Sequence, residues 1–283
     1  MRLTSFATAW VAACVLVIAR GTQAPPPAQL AKPDAAAAAA ADATLAATRT
    51  ALGGEKKLAA VKTIVATGRT RQVRGNSLVP IEFEIAMELP DKYVRKDEIP
   101  AQESEPTTAG FNGAELILLP VPNLGARGGQ PPPAAAVEAG RQARLSAVRQ
   151  DFARLTLGLF AASFDSFPLT FSYVAKAEAP QGKADVIDVK GPGTFSARLF
   201  ISAETHLPIM ISWLPPVPPQ RGAAPASAPP ESRIYYGEYR EANGLTWPFR
   251  LRRALGADTV EETTFDGYKI NAKIDPKKFE VRR

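Results

Sequence analysis

The chain has 283 residues, of which 46% are hydrophobic, and its 34 Lys and Arg against 28 Asp and Glu give a net charge of +6. This is enough apolar material for one sizeable core, and the basic residues are spread along the chain, which argues against a nucleic-acid-binding protein. The single cysteine excludes a disulfide framework.

Residues 1–21 have the pattern of an export signal. Arg2 supplies the positive start, and the apolar run from Phe6 to Ala19 is too short to span a bilayer comfortably. Two maturation routes are open. Cleavage near Gly21 would release a periplasmic or secreted protein, whereas acylation of Cys14, which ends a lipobox-like stretch, would give an outer-membrane lipoprotein. The apolar residues that follow Cys14 favour the first route.

Proline-rich stretches divide the rest of the chain. Residues 22–41, which are rich in proline and alanine, indicate a flexible tether. The stretches 121–133 and 215–230 indicate long solvent-exposed loops within a domain rather than boundaries between domains. One domain is therefore expected over residues 42–283.

The domain is predicted to begin with helices. Asp42 is placed to cap a helix that carries Leu45 and Leu52, and Gly53-Gly54 would end it. A short helical turn over residues 55–62 should then lead into the first strand.

Period-two alternation predicts a sheet. In IEFEIAMEL, residues 81–89, Phe83, Ile85 and Met87 share one face, and Tyr93 and Arg95 likewise share one face of the next strand. Further strands are predicted over residues 63–73, 92–97, 114–119, 169–177, 184–190, 194–202, 209–214, 233–240, 249–254 and 259–270. Asn-Gly turns at 112–113 and 243–244 indicate hairpins, and hence an antiparallel sheet.

One amphipathic helix interrupts the strands, over about residues 134–163. Its apolar positions follow a 3-4-3-4 spacing: Leu145, Val148, Phe152, Leu155 and Leu159. A long sheet with one apolar face must curl around something, and this helix is the expected plug or lid. The predicted fold class is mainly β with helices (α+β), as a curved antiparallel sheet or half-barrel.

The sequence shows no catalytic constellation. His206 is the only histidine, and no Gly-x-Ser-x-Gly motif accompanies it. Asp258, Glu261 and Glu262 lack the spacing of a cation site. We therefore expect a protein that is not an enzyme and has neither a metal site nor a cofactor.

Six stretches follow one another along the chain: ALGGEKKLAAVKTIVATGRTR, LPDKYVRKDEI, GFNGAELILLP, ISAETHLPIMISW, EYREANGLTWPFRLR and TTFDGYKINAKIDPKKFEV. In this order they resemble the LolA/LolB-type lipoprotein-carrier superfamily, in its outer-membrane lipoprotein-sorting branch. The resemblance covers roughly residues 43–281 and implies a single LolA-like domain. The aromatic residue usual in the family's hairpin is replaced here by Leu116, Ile117 and Leu118.

The resemblance implies that the curved sheet holds acyl chains of a lipid or lipoprotein. The hydrophobic cavity would be formed by Phe83, Ile85, Met87, Tyr93, Arg95, Phe152 and Leu155. In such carriers an arginine at the position of Arg95 holds the helical lid or meets the polar end of the ligand. The terminal Phe279, after the turn at Asp275-Pro276, would cover an open edge of the sheet.

Two functions of different classes follow. The first is a monomeric envelope carrier that contacts the membrane peripherally. The second is an envelope sensor or protein-interaction module on the same fold, attached through Cys14 if that residue is acylated. The sequence leaves both open, and it does not decide whether the interior of the sheet is hollow or filled.

Overall fold

The computed structural model describes residues 34–100, 102, 104–121, 133–179, 182–215 and 229–282. The predicted signal at 1–21 with Cys14, the first part of the tether, and most of the two proline-rich loops lie outside these residues and stay predictions.

The described residues form three α-helices, one short 3-10 helix and twelve strands. The helices are α1 (Ala35–Ala51), α2 (Glu55–Ala59), α3 (Ala134–Phe160) and the 3-10 helix Pro276–Phe279. The strands are β1 (Thr63–Arg74), β2 (Ser77–Glu88), β3 (Lys92–Glu98), β4 (Thr107–Asn112), β5 (Glu115–Leu119), β6 (Thr170–Ala179), β7 (Gly182–Lys190), β8 (Ser196–Ser202), β9 (Pro208–Trp213), β10 (Ser232–Ala242), β11 (Leu245–Leu255) and β12 (Asp258–Ile270).

All twelve strands belong to one antiparallel sheet, in the order β5-β4-β3-β2-β1-β12-β11-β10-β9-β8-β7-β6. The sheet is open, with β5 and β6 at its edges. Helix α3 contacts β4 and β5 near one edge and also β9 and β11 in the other half of the sheet, so the sheet curls around α3. The α+β fold class predicted from the sequence is confirmed.

Helix α1 starts earlier than the sequence pattern indicates. Its N-cap is Asp34, whose side chain accepts a hydrogen bond from the backbone N–H of Ala36 at 3.2 Å. Residues 35–41, assigned to the tether because of their composition, are therefore helical, and Asp42 lies inside the helix rather than at its cap. Alanine has the highest helix propensity of all residues, so a capped alanine run favours a helix.

The two Asn-Gly hairpins have different turns. Asn243 and Gly244 are the two central residues between β10 and β11, and both have positive φ, as a type I′ turn requires. At the other hairpin Asn112 pairs with Glu115, so the central residues are Gly113 and Ala114. That turn is displaced by one residue from the predicted position.

Helix α3 is fixed to the sheet by its C-terminal half. Its N-terminal part is largely exposed, whereas Leu145, Phe152, Leu157, Leu159 and Phe160 are buried. The Tyr236 hydroxyl donates to the carbonyl of Arg154 at 2.6 Å, and the Trp247 indole N–H donates to the carbonyl of Leu159 at 3.0 Å. The latter bond satisfies one of the orphan carbonyls of a helix end.

Close packing of α3 on β10 depends on Gly158. A Cβ atom at this position would lie 2.3 Å from a ring carbon of Tyr236. The half of α3 that contains Gly158 is therefore a plug within the core.

The C-terminal segment covers a face of the sheet, not its edge. The Asp275 side chain caps the 3-10 helix by accepting from the N–H of Lys277 at 3.0 Å, with Pro276 at the first position, as the sequence predicts. Phe279 is 2% exposed and packs with Ala86, Val94 and Ile117 in a small cluster on the outer face of β2, β3 and β5. The implied position of Phe279 at an open edge was wrong, because these side chains alternate with the ones that face the main core.

Candidate ligand-binding cavity

A cavity of about 690 Å³ lies between the concave face of the sheet and α3. Its walls come from β1, β2, β3, β4, β10, β11 and β12, with Val148, Asp151 and Leu155 of α3 on the opposite side. This volume falls within the range of about 300–1,000 Å³ that is typical of small-molecule sites.

Apolar and charged side chains both line the cavity. Apolar side chains are contributed by Ile81, Ile85, Val148, Leu155, Leu251 and Phe265. The charged side chains are Arg74, Arg95, Asp97, Glu105, Asp151, Arg253 and Glu261. Such an arrangement matches a ligand with an apolar body and a polar end.

Four of the seven predicted site residues line this cavity, namely Ile85, Tyr93, Arg95 and Leu155. The other three, Phe83, Met87 and Phe152, are buried in the main core outside the lining. Period-two alternation places Phe83, Ile85 and Met87 on one face of β2. Which of them line the cavity depends on how the neighbouring strands pack.

Phe152 belongs to a filled aromatic cluster. Its ring centroid lies 5.6 Å from that of Tyr93, 5.3 Å from that of Phe111 and 5.9 Å from that of Phe164. These are the separations of packed aromatic pairs. The interior of the sheet is thus filled beside Phe152 and hollow beside Val148 and Leu155.

Arg95 is held by partners within the sheet. Its Nε donates to Asp97 Oδ1 at 2.7 Å and its Nη2 donates to Thr70 Oγ1 at 3.1 Å. Thr70 Oγ1 lies 2.9 Å from Thr263 Oγ1, and the Thr263 hydroxyl donates to Glu261 Oε1 at 3.4 Å. Each hydroxyl has one proton, and Thr263 donates its own to Glu261, so Thr70 must donate to Thr263. The hydrogen bonds therefore run in one direction from Arg95 to Glu261.

Tyr93 and Arg95 point to the same side of β3, as their spacing predicts, and both line the cavity. Burial raises the pKa of the Tyr93 hydroxyl; Arg95 and Arg253 oppose this shift, while Asp151 and Asp97 add to it. The hydroxyl therefore stays protonated at neutral pH.

A second polar group was not anticipated from the sequence. Asp151 Oδ1 accepts from Arg154 Nη1 at 3.0 Å and from Arg253 Nη2 at 3.3 Å. The Arg154 guanidinium is buried, with its central carbon 4.1 Å from the ring centroid of Trp213, and burial lowers the pKa of Arg154. Asp151 and Arg253 are 102 positions apart, so only the fold brings them together.

The remaining chemistry-bearing residues are dispersed. His206 is exposed in a turn with a φ of 57°. In the part of the chain that the structure describes, no three His, Cys, Asp or Glu side chains are grouped so that they could hold a metal ion. None of the described helices is both long and apolar enough to span a membrane.

No protein-family model matches the chain, and no curated protein matches it in sequence. Among solved structures, it is similar to a LolA superfamily protein from Nitrosomonas europaea, with a TM-score of 0.52 and 10% identity over 84% of this chain and 96% of that one.

Two further structures align over similar lengths. An outer membrane lipoprotein-sorting protein domain from Vibrio parahaemolyticus has a TM-score of 0.48 and 8% identity, covering 84% of this chain and 97% of that one. A DUF1329 family protein from Desulfovibrio piger has a TM-score of 0.47 and 6% identity, covering 85% and 97%. These two scores are below 0.5, so the assignment rests on the Nitrosomonas structure: the chain has a LolA-like fold.

Proposed function

We propose that the protein is an envelope binding protein that holds the acyl part of a lipid or lipoprotein in the cavity beneath α3. The observation that carries this proposal is the cavity of about 690 Å³ that both apolar and charged side chains line. The LolA-like fold supports it, since one similar solved structure is a LolA superfamily protein.

The apolar side chains of the lining supply the affinity in this proposal. Each methylene group moved from water to an apolar environment contributes roughly 0.8 kcal/mol. The apolar side chains of β2, β11, β12 and α3 offer such an environment. The charged side chains of the lining would then hold the polar end of the same ligand.

The proposal places the protein in the periplasm or outside the cell, because residues 1–21 have an export-signal pattern. We expect a mature chain that starts after residue 20, and therefore lacks Cys14, and that carries no attached lipid. Intact mass of the envelope form measures this directly. Acylated Cys14 as the first residue would instead indicate a membrane-attached acceptor or sensor.

A matched pair of α3 variants tests whether the cavity binds. Val148 lines the cavity, whereas Val137 lies on the exposed part of the same helix. Val148→Trp should fill the space and weaken binding of a fluorescently labelled monoacylglycerol at least about 10-fold, the equivalent of roughly 1.4 kcal/mol. Val137→Trp, which adds the same side chain outside the cavity, should bind as the parent does.

If the parent does not bind the probe, the proposed function is wrong, and the sensor or interaction module becomes the better hypothesis. Equal binding by the parent and Val148→Trp would also contradict the proposal, because it would place the binding site elsewhere.

A further inference from the structure

The lining of the cavity contains a hydroxyl group that has no partner among the described residues. Tyr93 is 5% exposed and lines the cavity. Its hydroxyl makes no hydrogen bond with any of the described residues, although the buried hydroxyls of Tyr236 and Tyr268 each donate to a backbone carbonyl at 2.6 Å. The Tyr93 oxygen is not one of the fully buried side-chain atoms that lack a partner, and the residue lines the cavity, so the hydroxyl is available to a ligand.

The charged groups around this hydroxyl are already paired. Arg95 is bonded to Asp97 at 2.7 Å, and Arg253 is bonded to Asp151 at 3.3 Å. An anionic ligand bound to either arginine would lie close to the carboxylate that this arginine already holds. The two negative charges would repel each other.

The overall charge of the cavity also disfavours an anion. Three arginines and four carboxylates line it, so the local balance is negative even though the whole chain is basic. The site still offers hydrogen-bond donors. They are the Tyr93 hydroxyl and those N–H groups of Arg95 and Arg253 that make no hydrogen bond with a described residue. The site therefore favours a neutral group with an acceptor oxygen.

On this basis, and given the proposed function, we infer that the Tyr93 hydroxyl binds the carbonyl oxygen of a neutral acyl ester or amide. The ligand is then an acyl chain still linked to its parent molecule, and not a free fatty acid. Because burial raises the pKa of Tyr93, the hydroxyl remains a donor throughout the neutral range.

Four probes with the same oleoyl or oleyl chain test this inference by equilibrium binding below their micelle concentrations. They are 1-monooleoylglycerol, its ether analogue without the carbonyl, oleoylethanolamide and oleate. The parent should bind the ester more tightly than the ether or oleate, by about 3- to 10-fold, as one net hydrogen bond predicts. The amide distinguishes the two sources of a neutral carbonyl, since a higher affinity for it than for the ester would indicate an N-acylated ligand.

The Tyr93→Phe variant removes only the hydroxyl. Binding of the ester should fall to the level of the ether, while binding of the ether stays unchanged. Tyr173→Phe is the matched control, because the Tyr173 hydroxyl is bonded to Asp185 on β7 outside the cavity.

Different outcomes overturn the inference and the proposed function. If the parent binds oleate as tightly as the ester, or if Tyr93→Phe weakens the ester and the ether equally, a carbonyl subsite at Tyr93 is wrong and the binding function stands. If the parent binds none of the four probes, the proposed function fails, and this inference fails with it. The ranking of probes by the parent alone does not depend on the folding of any variant.

Discussion

The guanidinium of Arg95 lies over the ring of Phe83, with 4.8 Å between its central carbon and the ring centroid. The same ring packs edge-on against Phe265, with 5.4 Å between the centroids. Arg95 therefore contacts the filled aromatic core through Phe83 and also lines the cavity. Its charge, planarity and length all contribute to these contacts.

We expect Arg95→Lys to lower the free energy of unfolding by about 1–2 kcal/mol, because an ammonium lacks the planar fork that serves Asp97, Thr70 and the Phe83 ring together. Urea unfolding measures the loss. Arg71→Lys, at an exposed position of β1, should change stability by less than about 0.5 kcal/mol. Equal effects of the two substitutions would show that the Arg95 contacts contribute nothing to stability.

Phe152→Glu should unfold the protein or destabilise it severely, because truncating a buried phenylalanine costs about 3–5 kcal/mol and a buried, unpaired carboxylate adds to that loss. Thermal melting followed by circular dichroism is the measurement. Val137→Glu, on the exposed part of the same helix, should melt close to the parent. A near-normal melt of Phe152→Glu would mean that α3 is a movable lid and not a plug in the core.

Trp247→Phe should cost about 1–3 kcal/mol, because it leaves the buried carbonyl of Leu159 without a donor. Circular dichroism should follow this unfolding, since the substitution removes a fluorophore. Tyr173→Phe removes a hydrogen bond nearer the surface and should cost far less. If Trp247→Phe is as stable as the parent, the end of α3 is not fixed by this bond.

Stability should fall as the pH rises above about 10. Burial raises the pKa of Tyr93, Tyr236 and Tyr268 above the ordinary value of about 10. Above that pH the unfolded chain loses these protons while the folded chain retains them, so each tyrosine lowers stability by up to about 1.4 kcal/mol per pH unit. Below it, both states are protonated and the contribution is constant.

Urea unfolding at several pH values between 8 and 11 tests this dependence. Tyr93→Phe should weaken it, because the variant removes one of the tyrosines with a raised pKa and breaks no hydrogen bond with the described residues. Identical slopes for the parent and the variant would show that the Tyr93 hydroxyl ionises freely in the folded state.

The sequence indicated the sheet because alternation is a local property. The shared face of Tyr93 and Arg95 and the boundaries of most strands follow from period-two patterns alone. The predicted start of α1, at Asp42, was too late. The proline and alanine content of residues 22–41 was interpreted as a tether, although Asp34 supplies the N-cap.

The cavity could be predicted only in part. Phe83, Ile85 and Met87 show the same pattern, yet only Ile85 lines the cavity. Phe83 and Met87 are packed in the main core, where Phe83 meets Phe265 edge-on. Asp151 and Arg253 carry no local signal, because their pairing depends on how β11 and α3 meet. Val148 lies on the predicted apolar side of the helix, and its position on the cavity wall also depends on the curvature of the sheet.

Mass spectrometry of organic extracts tests the central claim most directly. The protein should be purified without detergent from the envelope of its host, in the parent form and as Val148→Trp. We expect the parent to release an esterified or amide-linked acyl lipid in near-stoichiometric amount, and the variant to release little. Extracts of the parent with no more acyl lipid than those of Val148→Trp would contradict the account.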